Sequence, residues 1–479
     1  MPKIAMIGAG SLIFAKTLTS DILATEALRD SEIRLMSRTK PKLDRMEAFV
    51  RRMIAENDLP ARVWSTLDRR QALDGADYVI VMFQVGGVEA FGMDYEIPLK
   101  YGVDQCIGDS LGPGGVFRAL RSIPVLVDIA DDIEGLCPDA LLLNYSNPMG
   151  ANCAALGRVM ENGQFIGLCH GVQTTLDLIS GYVGVPKEEI DYVCAGINHM
   201  AWFLSLKDKR DERDLYPILR ENIEKPEYYI NEKVRCEVMR HFGYFMTEST
   251  GHLSEYLSWF RKNQKALDLY CDQPDFGGAS GAYYNYCKMI TEKYKDVDYL
   301  ALESPKITGR SVEYCSYILE AKETDGIFRL NGNVRNDGFI TNLPYGCCVE
   351  VPVFVDRRGI HPATVGDLPP QLAALNQSNI TVQELTVNAA MTGDPEYAMQ
   401  AIAMDPLTSA VCTLEEVRDM TIKLLEAQRE WLPQFEGKKL TPKPTISIPK
   451  GTKGVNVPLD PALAIANRFA ELAKRKVEK

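Results

Sequence analysis

The chain has 479 residues, 46% of them hydrophobic and 25% charged, with 53 lysines and arginines against 65 aspartates and glutamates, a net charge of −12. That balance belongs to a folded globular protein too long for one small core, and the acidic surface argues against a nucleic-acid partner. No eighteen apolar residues run together and no leader-like segment precedes Ile4, so neither a membrane span nor secretion is expected and a cytoplasmic location is. Twelve cysteines are scattered without a CxxC pair, and the adjacent Cys347 and Cys348 are poorly placed to bridge, which predicts reduced thiols.

In chain order, apolar runs at Lys3–Ile7, Ile33–Met36, Tyr78–Phe83, Ala140–Asn144 and Phe165–Cys169 read as buried strands. Helical patterns at Leu12–Leu28, Lys42–Ala55 and Val116–Ile133 lie between them. This alternation predicts a parallel sheet with helices on both faces and ligands beyond the carboxyl ends of its strands. After about Val185 the pattern changes. An extended stretch at Tyr192–Leu206 is followed by helices at Lys233–Phe242 and Gly281–Lys293, a β-rich portion at Gly332–Val355, and helices at Gln383–Ala403 and Leu414–Trp431. The expected fold is therefore α/β: a Rossmann-type dinucleotide-binding domain over residues 1–185 and an α+β domain over 186–437. A tail, 438–479, contains a short helix at Pro461–Lys474 and has no role that the sequence decides.

The first strand runs into Gly8-Ala9-Gly10-Ser11. Gly8 permits a tight turn and Gly10 lets a pyrophosphate approach a helix start; the third glycine of the usual fingerprint is missing, with Leu12 and Ile13 near its place. The second strand ends Ser37-Arg38-Thr39-Lys40, where an acid would normally hold the ribose. These residues either cradle a 2′-phosphate, favouring NADP, or are solvated surface charges. Further strand ends bring Gln84 and Asn144 toward the cofactor, and Asn147 toward a substrate hydroxyl or the nicotinamide ribose. Cys169-His170 ends another strand, and Asn198-His199 closes an extended run about thirty residues later. Thiolate and imidazole at one sheet mouth suit a borderline divalent ion, although spacing alone leaves both as ordinary packing residues.

Taken in order, Ile7–Ser11, Gly108–Gly115, Asn144–Met149, Gly167–His170, Ala195–Met200, Gly332–Gly338 and Asn342–Pro344 resemble glycoside hydrolase family four, to about Pro433. Within it, Cys169–Gln173, Thr247-Glu248-Ser249 and Asn333–Val351 are most similar to the melibiose-type α-galactosidases. The resemblance implies a fold like lactate and malate dehydrogenases, bound NAD, and Mn²⁺ or another divalent metal on Cys169 and His199. It implies hydrolysis of a small oligosaccharide or glycoside by a redox detour rather than by two carboxylates: oxidation at C3, deprotonation at C2, elimination of the aglycone, water addition and re-reduction. It also implies Asp109 as the acid for the leaving oxygen, Tyr256 as the C2 base, Asn147, His170 and Asn198 as substrate contacts, and a homodimer or homotetramer. Two departures stand out. Ser37-Arg38 replaces the usual ribose-binding acid, leaving NAD and NADP open, and Cys169-His170 replaces the step found in members acting on phosphorylated sugars. An α-glucosidase, an α-glucuronidase or galacturonidase, a 2-hydroxyacid or sugar dehydrogenase and a non-catalytic dinucleotide sensor are the alternative readings.

Overall fold

Ile4, Ala5 and Met6 are wholly buried, as are Val79, Ile80 and Val81 and Leu141, Leu142 and Leu143. Strands covered on both faces read as unbroken apolar runs, and these form the centre of a sheet. The computed structural model describes all residues except Leu12, Ile13, Glu161, Asn162, Asp296, Leu459 and 475–479, so the site expected for a third glycine lies outside the described residues. Strands β1 (Lys3–Ile7), β2 (Glu32–Met36), β3 (Arg62–Thr66), β4 (Tyr78–Val81), β5 (Leu141–Asn144) and β6 (Phe165–Gly167) run parallel in the order β3-β2-β1-β4-β5-β6. This is the doubly wound dinucleotide-binding order, whose direction reverses between β1 and β4.

The expected second domain does not build a sheet of its own. Strands β7 (Ile190–Ile197), β8 (Met200–Asp208), β9 (Phe328–Arg335), β10 (Cys348–Asp356) and β11 (Gly359–Pro362) extend the first sheet to eleven strands. The joins are narrow: β6 meets β9 only at Gly167 opposite Asn333, and β10 meets β7 only at Glu350 opposite Gly196. One compact unit therefore spans Met1–Pro442, and the predicted boundary near Val185 falls inside it. The tail forms a second unit, Lys443–Lys479, holding the helix Pro461–Lys474 where the sequence places it.

A separate apolar cluster fastens the β7–β8 hairpin to the helix Gly171–Val183. Val172, Leu176 and Ile179 pack with Ile190, Cys194, Ala201 and Phe203. Each such side chain stabilises the arrangement by roughly 1.5–3 kcal/mol when fully buried. Two segments far apart in sequence, the end of β6 and the hairpin turn, are thereby held in register.

Candidate active site

The ligand position that this strand order predicts lies beyond the carboxyl ends of the paired strands β1 and β4, where the order reverses. Gly8 has φ +96°, and a Cβ there would lie 2.5 Å from the Met82 carbonyl oxygen, so only glycine lets the turn after β1 pack this closely against the end of β4. A Cβ on Gly10 would stand 3.0 Å from Ser37 Oγ, which sets Ser37 against the glycine turn. Ser11 accepts a hydrogen bond from Phe14 N at 3.3 Å and so caps the helix Phe14–Ala24. Arg38 is exposed and without an ion-pair partner among the described residues, whereas Lys40 is tied to Asp44 at 2.8 Å. Gln84 is exposed at the end of β4, its Nε2 bonded to Gly87 O at 3.0 Å.

Asn144 corrects the expectation of a cofactor contact. It is wholly buried, donates to Ser146 O at 3.1 Å and accepts from Ser146 N at 3.0 Å. Its amide is spent in shaping the loop that carries Asn147, so any effect on a ligand is indirect. Asn147 itself is half-buried and donates to Asp109 Oδ2 at 3.2 Å.

Cys169 follows β6, and His199 sits in the β7–β8 turn. Between them comes Glu248, from a segment laid along β8 by bonds from Thr247 N to Ala201 O, 2.9 Å, and from Ala201 N to Thr247 Oγ1, 3.1 Å. One ligand atom from each of Cys169, His199 and Glu248 lies within 4.8 Å of the other two. Glu248 Oε1 is 3.8 Å from Cys169 Sγ and 3.7 Å from His199 Nε2. Gly171 has no side chain because the Glu248 carboxylate occupies that space. His199 and Glu248 both adopt left-handed backbone conformations, φ +64° and +74°, which non-glycine residues hold only where the surroundings impose them.

Burial dominates the electrostatics. It pushes the Cys169 thiol well above its ordinary value, reinforced by Glu248 and Glu350, and pulls the His199 imidazole down. Burial also works to raise Glu248, but His199, His252 and His170 outweigh it and the carboxyl ends below its usual range. Glu350, behind the cluster, is pushed up to about 8 by burial and by the Glu248 charge. Glu350 Oε1 and Asn198 Nδ2 are buried without hydrogen-bond partners among the described residues. Soft, borderline and hard donors converge, as a borderline divalent cation requires.

The helix Thr250–Tyr256 places His252 and Tyr256 four residues apart on one face. The Tyr256 hydroxyl is 3.0 Å from His199 Nδ1, and the His252 ring centroid is 4.7 Å from that of His199. Burial and the Asp109 charge hold the Tyr256 phenol well above its ordinary value. Glu255, on the same helix, clamps the loop bearing Asp109. Its carboxylate accepts from Ile107 N at 2.5 Å, Gly108 N at 3.0 Å and Gln105 Nε2 at 3.1 Å.

Comparison with known proteins settles the family. The profile described as family 4 glycosyl hydrolase matches residues 3–185, and that of the family 4 C-terminal domain matches 194–408. The chain belongs to glycosyl hydrolase family 4. An α-galactosidase of Rhizobium meliloti is 41% identical to this family 4 chain over 442 residues, 90% of this chain and 89% of the relative. An α-galactosidase of Bacillus subtilis is 41% identical over 445 residues, 91% of this chain and 100% of the relative. A solved 6-phospho-β-glucosidase of Thermotoga maritima, determined with manganese, NAD+ and glucose-6-phosphate, shares the fold at a TM-score of 0.73, with 23% identity and coverage of 89% and 98% of the two chains.

Within this family 4 site, Asp109, expected as the acid, is buried beside Asn147 and Arg118. Burial would raise its carboxyl, but Arg118, 3.9 Å from Oδ2, the neighbouring histidines and a 2.6 Å hydrogen bond from Ser110 Oγ hold it below the ordinary range. In the chain without ligands these partners favour its anionic form. His170 is half exposed, its Nδ1 3.7 Å from Glu313 Oε1. The sequence reading assigns no role to Glu248, His252, Arg118 or Glu313, although Glu248 lies in one of its recognised segments. The four-residue spacing of His252 and Tyr256 was the one signal that could have found the second of these.

Proposed function

We propose that this family 4 enzyme hydrolyses α-galactosides, using a nicotinamide dinucleotide in the β1–β4 crevice and a divalent ion such as Mn²⁺ at Cys169, His199 and Glu248. The observation that carries the reading is the convergence of thiol, imidazole and carboxylate within 4.8 Å, with a tyrosine hydroxyl 3.0 Å from the same imidazole. A plain hydroxyacid dehydrogenase needs no such cluster. Both α-galactosidase relatives cover about nine-tenths of this chain, which supports galactose over glucose or a uronic acid. A cytoplasmic setting agrees with twelve cysteines that are all free.

The chain's groups fit both cofactors. The tight glycine turn at Gly8 stands at the strand ends where this strand order takes a pyrophosphate, and the Asn198 amide nitrogen without a hydrogen-bond partner among the described residues and the strained His199 and Glu248 suit a ligand-filled centre. When bound, the dinucleotide supplies a reversible hydride acceptor and the ion a Lewis acid, which together acidify the carbon beside the oxidised one. Tyr256 then takes the C2 proton. An ion held on His199 Nε2 would leave the ring proton on Nδ1, which would then donate a hydrogen bond to the Tyr256 oxygen and favour the phenolate against the burial that raises the phenol. Asp109, anionic and bonded by Asn147, accepts hydrogen bonds from sugar hydroxyls and orients the ring. His170, paired with Glu313, donates the proton to the departing oxygen. Burial of Asp109, His199 and Tyr256 keeps bulk water from the proton-transfer groups around the metal site, while His170 stands at its solvent-facing side.

A panel of aryl α-galactosides, α-glucosides and α-glucuronides, assayed with Mn²⁺, a thiol reductant and NAD or NADP separately, tests this reading. The expected outcome is fastest turnover of the galactoside, with loss of activity on chelation. Faster turnover of a glucoside or uronide would displace the sugar assignment, and net accumulation of reduced dinucleotide would displace the hydrolase reading.

A further inference from the structure

Two buried arginines stand one turn apart on the helix Gly112–Leu136 and differ in what they bind. The Arg121 guanidinium is spent within the fold: it donates to Val85 O at 3.2 Å, to the Asp94 carboxylate at 2.9 and 2.6 Å, and to Gln428. Arg118, 9% exposed, is not. Its Nε donates to Asn147 O at 3.3 Å, and the guanidinium lies over Phe91, 5.6 Å from the ring centroid. Its Nη1, however, is buried without a hydrogen-bond partner among the described residues. A buried charged donor left open is costly, and a ligand that completes it explains why it stands there.

The geometry beside Nη1 says what kind of ligand fits. Asp109 Oδ2 lies 3.9 Å away, too far for a hydrogen bond. Asp109 Oδ1 already accepts from Ser110 Oγ at 2.6 Å, and Oδ2 from Asn147 Nδ2 at 3.2 Å, which leaves Oδ2 able to accept once more. An oxygen about 2.8 Å from both Nη1 and Oδ2 would see them at an angle of about 90°. That is the position of a hydroxyl that accepts from the guanidinium and donates to the carboxylate. An anionic group there would be repelled by Asp109 and an ammonium by Arg118, so the gap selects a neutral hydroxyl. It adjoins the reacting groups, because Ser110 is also within hydrogen-bonding reach of the Tyr256 hydroxyl. Behind it, Tyr283 packs on Phe91 with ring centroids 5.5 Å apart and donates from its backbone to Cys106 O at 3.1 Å.

We propose that Arg118 is a substrate-binding residue, its Nη1 and the Asp109 carboxylate gripping the 4-hydroxyl of the galactosyl ring between them. This rests on the α-galactosidase reading given above. There C1 faces the departing oxygen and His170, while C2 and C3 face Tyr256, the ion and the dinucleotide. The hydroxyls left for the gap are those at C4 and C6. A clamp of fixed width suits the one fixed on the ring, and the axial 4-hydroxyl is what separates galactose from glucose.

Nitrophenyl α-galactoside and its 4-deoxy and 6-deoxy analogues, assayed with the manganese- and dinucleotide-loaded enzyme, test the clamp against Arg118→Met and Arg118→Lys. In the parent, loss of the 4-hydroxyl should lower kcat/KM about 100-fold, and loss of the 6-hydroxyl far less. In both variants the 4-deoxy penalty should shrink to about threefold or less, since the partner that made it costly is gone. Thermal melts and bound manganese should match the parent. An Arg118 that only braced Asn147 would slow all three substrates alike, and an unchanged 4-deoxy penalty in the variants overturns the proposal. A parent indifferent to the 4-deoxy change overturns it without any variant, and a penalty that falls on the 6-deoxy analogue overturns the choice of hydroxyl. The underlying reading is checked in the same assay: a parent that leaves the intact galactoside uncut removes that reading, and the clamp with it.

Discussion

The two walls of the crevice work by different means. Along β1, β2 and β4 most side chains serve the scaffold: Ser11 caps a helix and Lys40 pairs with Asp44, and what remains for a ligand is the glycine-turn backbone and the exposed Arg38. Around Cys169 and His199 the reverse holds. Two of the three converging donors sit in strained backbone, and two nearby buried polar atoms lack hydrogen-bond partners among the described residues. A shape that only glycine allows recognises by exclusion, while a cluster of underpaired side chains recognises by chemistry. Substitutions should therefore fail differently on the two sides.

The sharpest break in that contrast is Cys169→Ser. Activity should drop on the order of 10³-fold, the scale of losing a group that acts on transition-state charge, with bound manganese lost by elemental analysis and dinucleotide affinity nearly unchanged. Equal loss of both would erase the distinction. Gly8→Ala should do the opposite, weakening dinucleotide binding by about 10–100-fold, 1.4 kcal/mol per tenfold, as followed by fluorescence titration, while manganese binding persists. Its added methyl meets the Met82 carbonyl.

His170→Ala sharpens the chemical side. A lost acid hurts most where the leaving group needs a proton, so kcat should fall at least about tenfold for an alkyl galactoside and little for a nitrophenyl galactoside. An equal fall for both would remove His170 from the acid role. Smallest is the pH effect of Glu350. Its carboxyl, raised from about 4.5 to about 8, binds a proton in the folded chain that the unfolded chain has released. Stability contributed by that proton is full below pH 4.5 and is lost as pH rises toward 8. Thermal melts of the metal-free protein should decline across that window, and Glu350→Gln should flatten the decline.

What the sequence disclosed follows the same division. The parallel strands were legible because burial on both faces leaves an uninterrupted apolar run. β3 was missed because Arg62–Thr66 is a half-exposed edge strand with only Val63 buried. The extended stretch Tyr192–Leu206 was legible, but not the turn inside it, since Asn198-His199 lacks the glycine that ordinarily announces a two-residue hairpin. The helix Pro370–Thr392 was caught only in its second half. Its buried face includes Asn376 and Asn379, which break the apolar period; Asn376 bonds Met200 O at 2.8 Å and Trp202 Nε1 at 3.0 Å, bracing the strand beside His199. Glu248 stood inside a recognised segment, yet nothing in its spacing from Cys169 and His199 could show that the chain returns to them. Asp109 was found, but its charge state depends on Arg118, a neighbour only the fold supplies.

The measurement that bears most directly on the redox detour is hydrolysis of an aryl α-galactoside in D₂O with manganese and dinucleotide present, followed by NMR of the released galactose. Proton removal by Tyr256 predicts deuterium at C2 of the product in every turnover. Galactose that keeps its original hydrogen at C2 would contradict the account.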